Sequence, residues 1–370
     1  MTTSIPISRP SIGEKEVANV LDAVQSGWVS SLGPYIVDFE KQFAEYCGTR
    51  YALTASNGTT ALHLALLACG IGADHEVIVP DLTFVATANA VAYTGATPVM
   101  VDIDAETLCI SPAAIERAIT PRTRAIMPVH LYGHPADMDA INYIARRHGL
   151  EVIEDAAEAH GAESRGRRVG SLGRCGVFSF YGNKIITSGE GGMITTDDEG
   201  LWTTARRLRD HAMSPERRYW HEEIGYNYRM TNMQAALGVA QLERIDSFLG
   251  HRRDIVGWYH EELDGLPGLR LNRAASWARN AYWMVCVEID ALDEALRRDL
   301  MVRLRERGVD SRPYFYPMSD MPMYSRANTP VAHRLSQIGV NLPSYTGLTR
   351  PEVGFVCAQL RAVLAEILPS

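Results

Sequence analysis

The chain has 370 residues, 46% of them apolar and 22% charged, which is the composition of a globular protein with a sizeable core. A net charge of −8, with basic runs no longer than pairs such as Arg146-Arg147, argues against a nucleic-acid surface, which needs clustered lysine and arginine. Six scattered cysteines without CxxC spacing argue against a zinc site or a redox dithiol and fit the reduced thiols of a cytoplasmic protein.

The N-terminal "MTTSIPISRPSIG" has no basic stretch leading into an apolar one, so no signal peptide is expected. From about residue 50 to 200, β-rich runs alternate with helical segments. "YALTAS" leads to the helical "NGTTALHLALLACG", then come "EVIVP", "TFVATANAVAYTG" and "TPVMVDI". The series continues through "AIMPVHLYG", the helical "DMDAINYIARRHG", "LEVIEDAA", "VFSFYG" and "GGMITTDD". Strands of valine and isoleucine recurring between helices predict an α/β fold, a mostly parallel sheet covered on both faces. The uncharged stretch from Leu82 to Val101 is long enough to span a bilayer. Its four threonines, Asn89, Gly95 and Pro98 predict instead a buried helix followed by a strand, so no membrane segment is expected. A long amphipathic stretch from Met233 to Leu263 precedes a shift in composition near "DGLPGL". The expected organisation is a large domain, 1–245, and a smaller C-terminal α/β domain, 246–370.

In sheets of this kind, ligands bind at the carboxyl ends of the strands. Asn57, Asp81, His130, Asp155 and Lys184 each follow an apolar run and fall on that rim. "SNGTT" opens a helix, whose free N–H groups make an anion site; an ordinary N-cap would read the same way. Asp155 could accept a hydrogen bond from a protonated heterocycle or cap the next helix. The cluster Glu154, Asp155, Glu158 and His160 matches no metal-ligand spacing, and His130 and His134 flank a glycine turn, so no metal site is expected. Lys184 lies between "FSFYGN" and "SGEGG", where glycines let the backbone approach something bulky. Anion cup, strand-end carboxylate and buried amine together suit pyridoxal 5'-phosphate, with Phe84 offering a flat surface for its ring.

With these residues in place, the sequence resembles the DegT/StrS family of pyridoxal-phosphate sugar aminotransferases. The resemblance runs through "GWVSSLGPYIVDFEKQFAEYCG", "SNGTTALHLALLACGIG", "VIEDAAEAHGA", "FSFYGNKIITSGEGGMI" and "IGYNYRMTNMQAALGVAQLE". It implies aminotransferase fold type I, with a seven-stranded-type central sheet. It also implies that Lys184 is the Schiff-base lysine and Asp155 the partner of the ring nitrogen. Gly58, Thr59 and Ser179 would contact the phosphate, Phe84 would stack on the ring, and Glu158 would join the cofactor-binding set. Asn227 would reach the phosphate of a neighbouring subunit in a homodimer with shared active sites. Arg229, Tyr316 and Ser319 would line the sugar-nucleotide entrance, Ser319 standing where a histidine is often found. The implied substrates are L-glutamate and a nucleotide-linked keto-deoxysugar. The acceptor stays open among GDP- and dTDP-linked keto sugars, an octose and a cyclitol ketone. Relatives that act as dehydratases carry histidine at the lysine position, and Lys184 argues against that activity. It argues equally against a non-catalytic regulator.

Overall fold

Strands without a polar face need cover on both sides. In the computed structural model, which describes residues 4–368, seven such strands form one central sheet. They are β1 (Tyr51–Ala55), β2 (Glu76–Pro80), β3 (Thr97–Val101), β4 (Thr123–Ile126), β5 (Glu151–Asp155), β6 (Cys175–Ser179) and β7 (Gly192–Thr196). Their spatial order is β1-β7-β6-β5-β4-β2-β3; β7 runs antiparallel to both its neighbours and the other pairs are parallel. Because successive side chains point to opposite faces, Val77, Val79, Ile153 and Val177 enter one apolar cluster while Ile78, Val152 and Phe178 enter the other. The expected α/β architecture is therefore present, with helices between β2 and β3, β3 and β4, and β4 and β5, while the parallel β5–β6 connection through residues 156–174 is a loop with a short hairpin.

The stretch from Leu82 to Val101 divides as its threonines, glycine and proline predict: a short loop, the helix Ala86–Tyr93, and strand β3. Among the described residues, no helix is long and apolar enough to cross a membrane.

The second sheet is antiparallel: β8 (Leu269–Leu271), β9 (Val285–Ile289), β10 (Arg312–Pro313) and β11 (Gly339–Leu342), in the order β8-β9-β11-β10. The single amphipathic helix expected from Met233 to Leu263 is instead two, Asn232–Leu242 and Ile245–Leu263. The break falls at Arg244, whose Nη1 donates to Glu16 Oε1 at 2.6 Å and ties the junction to the N-terminal helix. Residues 5–7 join the second sheet's side of the molecule: Ile5 bridges Val309 in parallel, and the Ser344 N–H donates to the Ile7 carbonyl at 3.0 Å.

Candidate active site

Four strand ends and one helix start converge on a cavity of about 690 Å³. The helix Gly58–Ala68 is apolar all round and nearly all buried, so its position is set by packing. Asn57 caps it, its Oδ1 accepting the Thr60 N–H at 2.9 Å. The N–H groups of Gly58 and Thr59 belong to the first turn, where no intrahelical acceptor exists, and both residues line the cavity. Gly58 is required sterically: a Cβ there would lie 2.8 Å from the Ser179 Cβ. Gly192 does the same on the sheet side, where a Cβ would meet the Asn57 carbonyl oxygen at 2.3 Å. The result is a cup with backbone N–H groups on one wall and the Ser179 hydroxyl on another, suited to an anion.

Asp155 is the last residue of β5 and is buried. Its Oδ2 accepts the Thr87 hydroxyl at 2.8 Å and its Oδ1 the Ala157 N–H at 3.2 Å. Burial pushes its pKa up, and those two donors with the nearby Lys184 ammonium oppose the shift. Lys184 follows β6, with its side chain only 11% exposed. Its Nζ stands 3.6 Å from Glu158 Oε1 and 4.1 Å from the centroid of the Trp283 ring. Burial holds its pKa below the usual lysine range, with Glu158 and then Asp155 pulling the other way. A lysine in this state reaches the neutral, nucleophilic form more readily than a surface lysine.

The structure brings Gly58, Thr59, Phe84, Asp155, Glu158, Ser179 and Lys184 to this one cavity. Phe84 remains 54% exposed, its ring 5.9 Å from that of Phe315. The other expected residues lie elsewhere. Asn227 is exposed on the surface, its Oδ1 accepting from Arg229 Nε at 3.1 Å, and Arg229 pairs with Asp210. Neither lines the cavity of its own chain. Tyr316 is not among the residues that line the cavity, and its hydroxyl accepts from Arg297 Nη2 at 3.3 Å.

Ser319 corrects the expectation of an entrance residue. It is 1% exposed, and both its N–H and its hydroxyl donate to the Asp81 carboxylate at 2.7 Å. A buried carboxylate must collect donors, and Asp81 draws them from a segment 238 residues away in sequence. Ser319→Ala is thus expected to cost about 1–3 kcal/mol of stability in urea unfolding while leaving KM for the sugar substrate unchanged. A KM effect without a stability effect would restore Ser319 to the entrance.

His130, another of the rim residues, is structural. The Ala136 N–H donates to His130 Nδ1 at 3.0 Å, so Nε2 carries the proton toward Glu154 at 3.0 Å. Glu154 also accepts the N–H groups of Gly170, Leu172 and Gly173. Burial pushes the His160 pKa down to about 3, so its ring is neutral.

Among the residues the sequence reading missed, three come from late in the chain: Trp283, Arg312 and Phe315 line the cavity. Trp283 precedes β9, which starts at Val285, and its indole Nε1–H donates to the Asn183 carbonyl at 2.8 Å beside Lys184. Arg312 and Phe315 belong to "DSRPYF", whose aromatic and cationic content was the available signal.

A sheet whose strand ends converge on a buried amine defines the class, an enzyme of covalent amine chemistry. The chain belongs to the DegT/DnrJ/EryC1/StrS aminotransferase family, which it matches over residues 10–361. It is 50% identical to the GDP-perosamine synthase of Caulobacter vibrioides over 365 residues, covering 97% of this chain and 98% of that one. To the GDP-perosamine synthase of Escherichia coli O157:H7 it is 45% identical over 358 residues, covering 96% and 97%. Spr1654 from Streptococcus pneumoniae, solved in its PLP form, superposes with a TM-score of 0.94 at 27% identity, covering 99% of this chain and all of that one (100%).

Proposed function

We propose that this aminotransferase uses pyridoxal 5'-phosphate to move the amino group of L-glutamate to a nucleotide-linked keto-deoxysugar, with GDP-4-keto-6-deoxymannose as acceptor and GDP-perosamine as product. The observation that carries the reading is the placement of the Lys184 amine and the Asp155 carboxyl in one cavity with the helix-start anion cup.

The residues present fit the cofactor. The Gly58 and Thr59 N–H groups and the Ser179 hydroxyl would hold its phosphate, and the missing Cβ of Gly58 leaves the cup open. Asp155 would hold the ring nitrogen, Phe84 would cover a ring face, and Lys184 would form the covalent link. When bound, the group supplies an electron sink for the carbon that loses its proton. The chain does the rest. Asp155 presents an anion where positive charge must persist, and its two donors keep it oriented. Lys184, once free and neutral in the dry cavity, takes a proton from the amino donor's α-carbon and delivers one to the acceptor. Trp283 and Phe315 exclude water from that transfer.

The acceptor assignment is supported by the two relatives that bear that enzyme's name and share nearly their whole length with this chain. The test mixes purified protein and L-glutamate with a panel of GDP- and dTDP-linked keto sugars, an octose and a cyclitol ketone, and follows products by mass spectrometry. The expected product is GDP-linked 4-amino-4,6-dideoxymannose. Preferential amination of a dTDP-linked sugar or of the cyclitol would replace the acceptor and leave the cofactor chemistry standing.

The working assembly in this reading is a homodimer with shared active sites. Asn227 and Arg229 lie outside their own cavity, and an exposed apolar band runs along the N-terminal helices through Val17, Leu21, Val24, Trp28, Leu32 and Val37. Exposed apolar surface in such a band marks an interaction face. All six cysteines are free thiols, which suits the reducing cytoplasm.

A further inference from the structure

Lys184 has one carboxylate within ion-pair distance among the described residues, and it is not Asp155. Glu158 Oε1 is 3.6 Å from Nζ, while Oε2 accepts a single donor, the Tyr132 N–H at 3.0 Å. The Glu158 side chain is 4% exposed. Asp155, by contrast, has two protein donors of its own. A carboxylate this dry, with one backbone donor, depends on the neighbouring ammonium to remain charged. The two groups therefore form a unit in which a proton can sit on either member.

From this geometry we infer that Glu158 is a positioning residue that sets the charge of Lys184: it holds the free amine as ammonium and receives its proton when the amine must be neutral. In that step an Nζ–H bond breaks, an Oε1–H bond forms, and the pair passes from two charges to none. The inference rests on the proposed role of Lys184 as the reacting amine.

The surroundings make the pair readable. Burial pushes Glu158 up to about 7, opposed by Lys184 and the Tyr132 N–H and reinforced by Asp155. His160, whose pKa burial and then the Lys184 charge push down, is neutral above about pH 3. The Cys109 thiol is pushed up to about 12, and the Cys286 thiol and Tyr132 phenol lie well above their usual ranges. Asp155 is the remaining charged neighbour, and its pKa is also raised by burial. Glu158 is the carboxylate within ion-pair distance of Nζ, so removing its charge is the direct test of what sets the reactivity of Lys184.

The experiment measures covalent attachment of pyridoxal phosphate to the cofactor-stripped full chain as a function of pH, trapped with borohydride and read by peptide mass spectrometry. Removing the anion in Glu158→Gln takes support from the ammonium, so the midpoint of the pH profile is expected to fall by at least about one unit, roughly a tenfold gain in attachment rate below it. Glu158→Asp keeps the charge and is expected to stay nearer to the wild type. An unmoved or raised midpoint in Glu158→Gln overturns the inference, as does an equal shift in both variants, which would trace the effect to shape and not charge. If no adduct forms at Lys184 in any of the three proteins at any pH, the reading of Lys184 itself fails, and the inference with it.

Discussion

Lys184→Ala is expected to lower turnover by about 10⁴-fold or more and to remove the borohydride-stable cofactor adduct from the peptide that carries residue 184. The size follows from how many tasks one amine performs. Lys184 is the only lysine that lines the cavity, at 3.6 Å from Glu158 and 4.1 Å from the Trp283 ring. The other cavity cation, Arg312, cannot give up its proton. No side chain of the cavity can therefore replace the amine as both covalent link and proton carrier. The protein should still fold, because losing a buried ammonium relieves a desolvation cost and leaves Glu158 free to be neutral. The expected pattern is a variant with a near-normal melting temperature, no visible cofactor absorbance and negligible amination of any acceptor. Turnover within about tenfold of the wild type would show that Lys184 is not the reacting amine.

Asp155→Asn is expected to reduce kcat by roughly 10²–10⁴-fold while the adduct at Lys184 still forms. Asparagine matches the shape of aspartate and can still accept the Thr87 hydroxyl, but it cannot hold a positive charge beside it. The stability consequence has a definite sign. Burial raises the folded pKa of Asp155 above its ordinary value, so its contribution to stability is fully present below the ordinary pKa and declines as pH rises through the folded value. At neutral pH the ionised carboxylate costs stability in the cofactor-free chain, and the amide is expected to leave the melting temperature unchanged or raised. Steady-state kinetics and calorimetry on the same preparation check both halves. A large fall in melting temperature with a proportionate loss of activity would make the carboxylate a structural group.

Much of this site is legible from short stretches, because each of its main parts is local. Asn57, Gly58 and Thr59 are consecutive, and a capping residue before an apolar helix leaves first-turn N–H groups free wherever the helix later docks. Asp155 terminates an apolar run, and the end of a parallel strand is where ligands meet the sheet. Lys184 is announced by the glycines that follow it. The ambiguous readings, cap or carboxylate partner at Asp155 and cap or anion cup at Asn57, could not be separated within their own segments. In the structure the Asn57 side chain closes the cap, and Gly58 and Thr59 line the cavity.

Ser319 and Trp283 show where local reading fails. "PMSDMPMY" looks like an exposed polar loop, and its serine is nevertheless buried because Asp81 needs donors. Trp283 looks like the start of a buried strand, yet it turns toward Lys184 before the strand begins. Glu158 belonged to a carboxylate cluster whose spacing fits no metal. Its partner lies 26 positions further on and is brought beside it only by the pairing of β5 with β6.

The sequence by itself determined the alternation of strands and helices, the capped helix start and the positions of the lysine and the strand-end carboxyl that the cavity brings together, since periodicity, capping and turn chemistry are properties of neighbouring residues. Only the tertiary structure decided which side chains from late in the chain close the cavity, that Ser319 serves Asp81, and that Glu158 and not Asp155 stands within ion-pair reach of Lys184. Those outcomes depend on desolvation and on distances between segments far apart in the chain, which no window of residues contains.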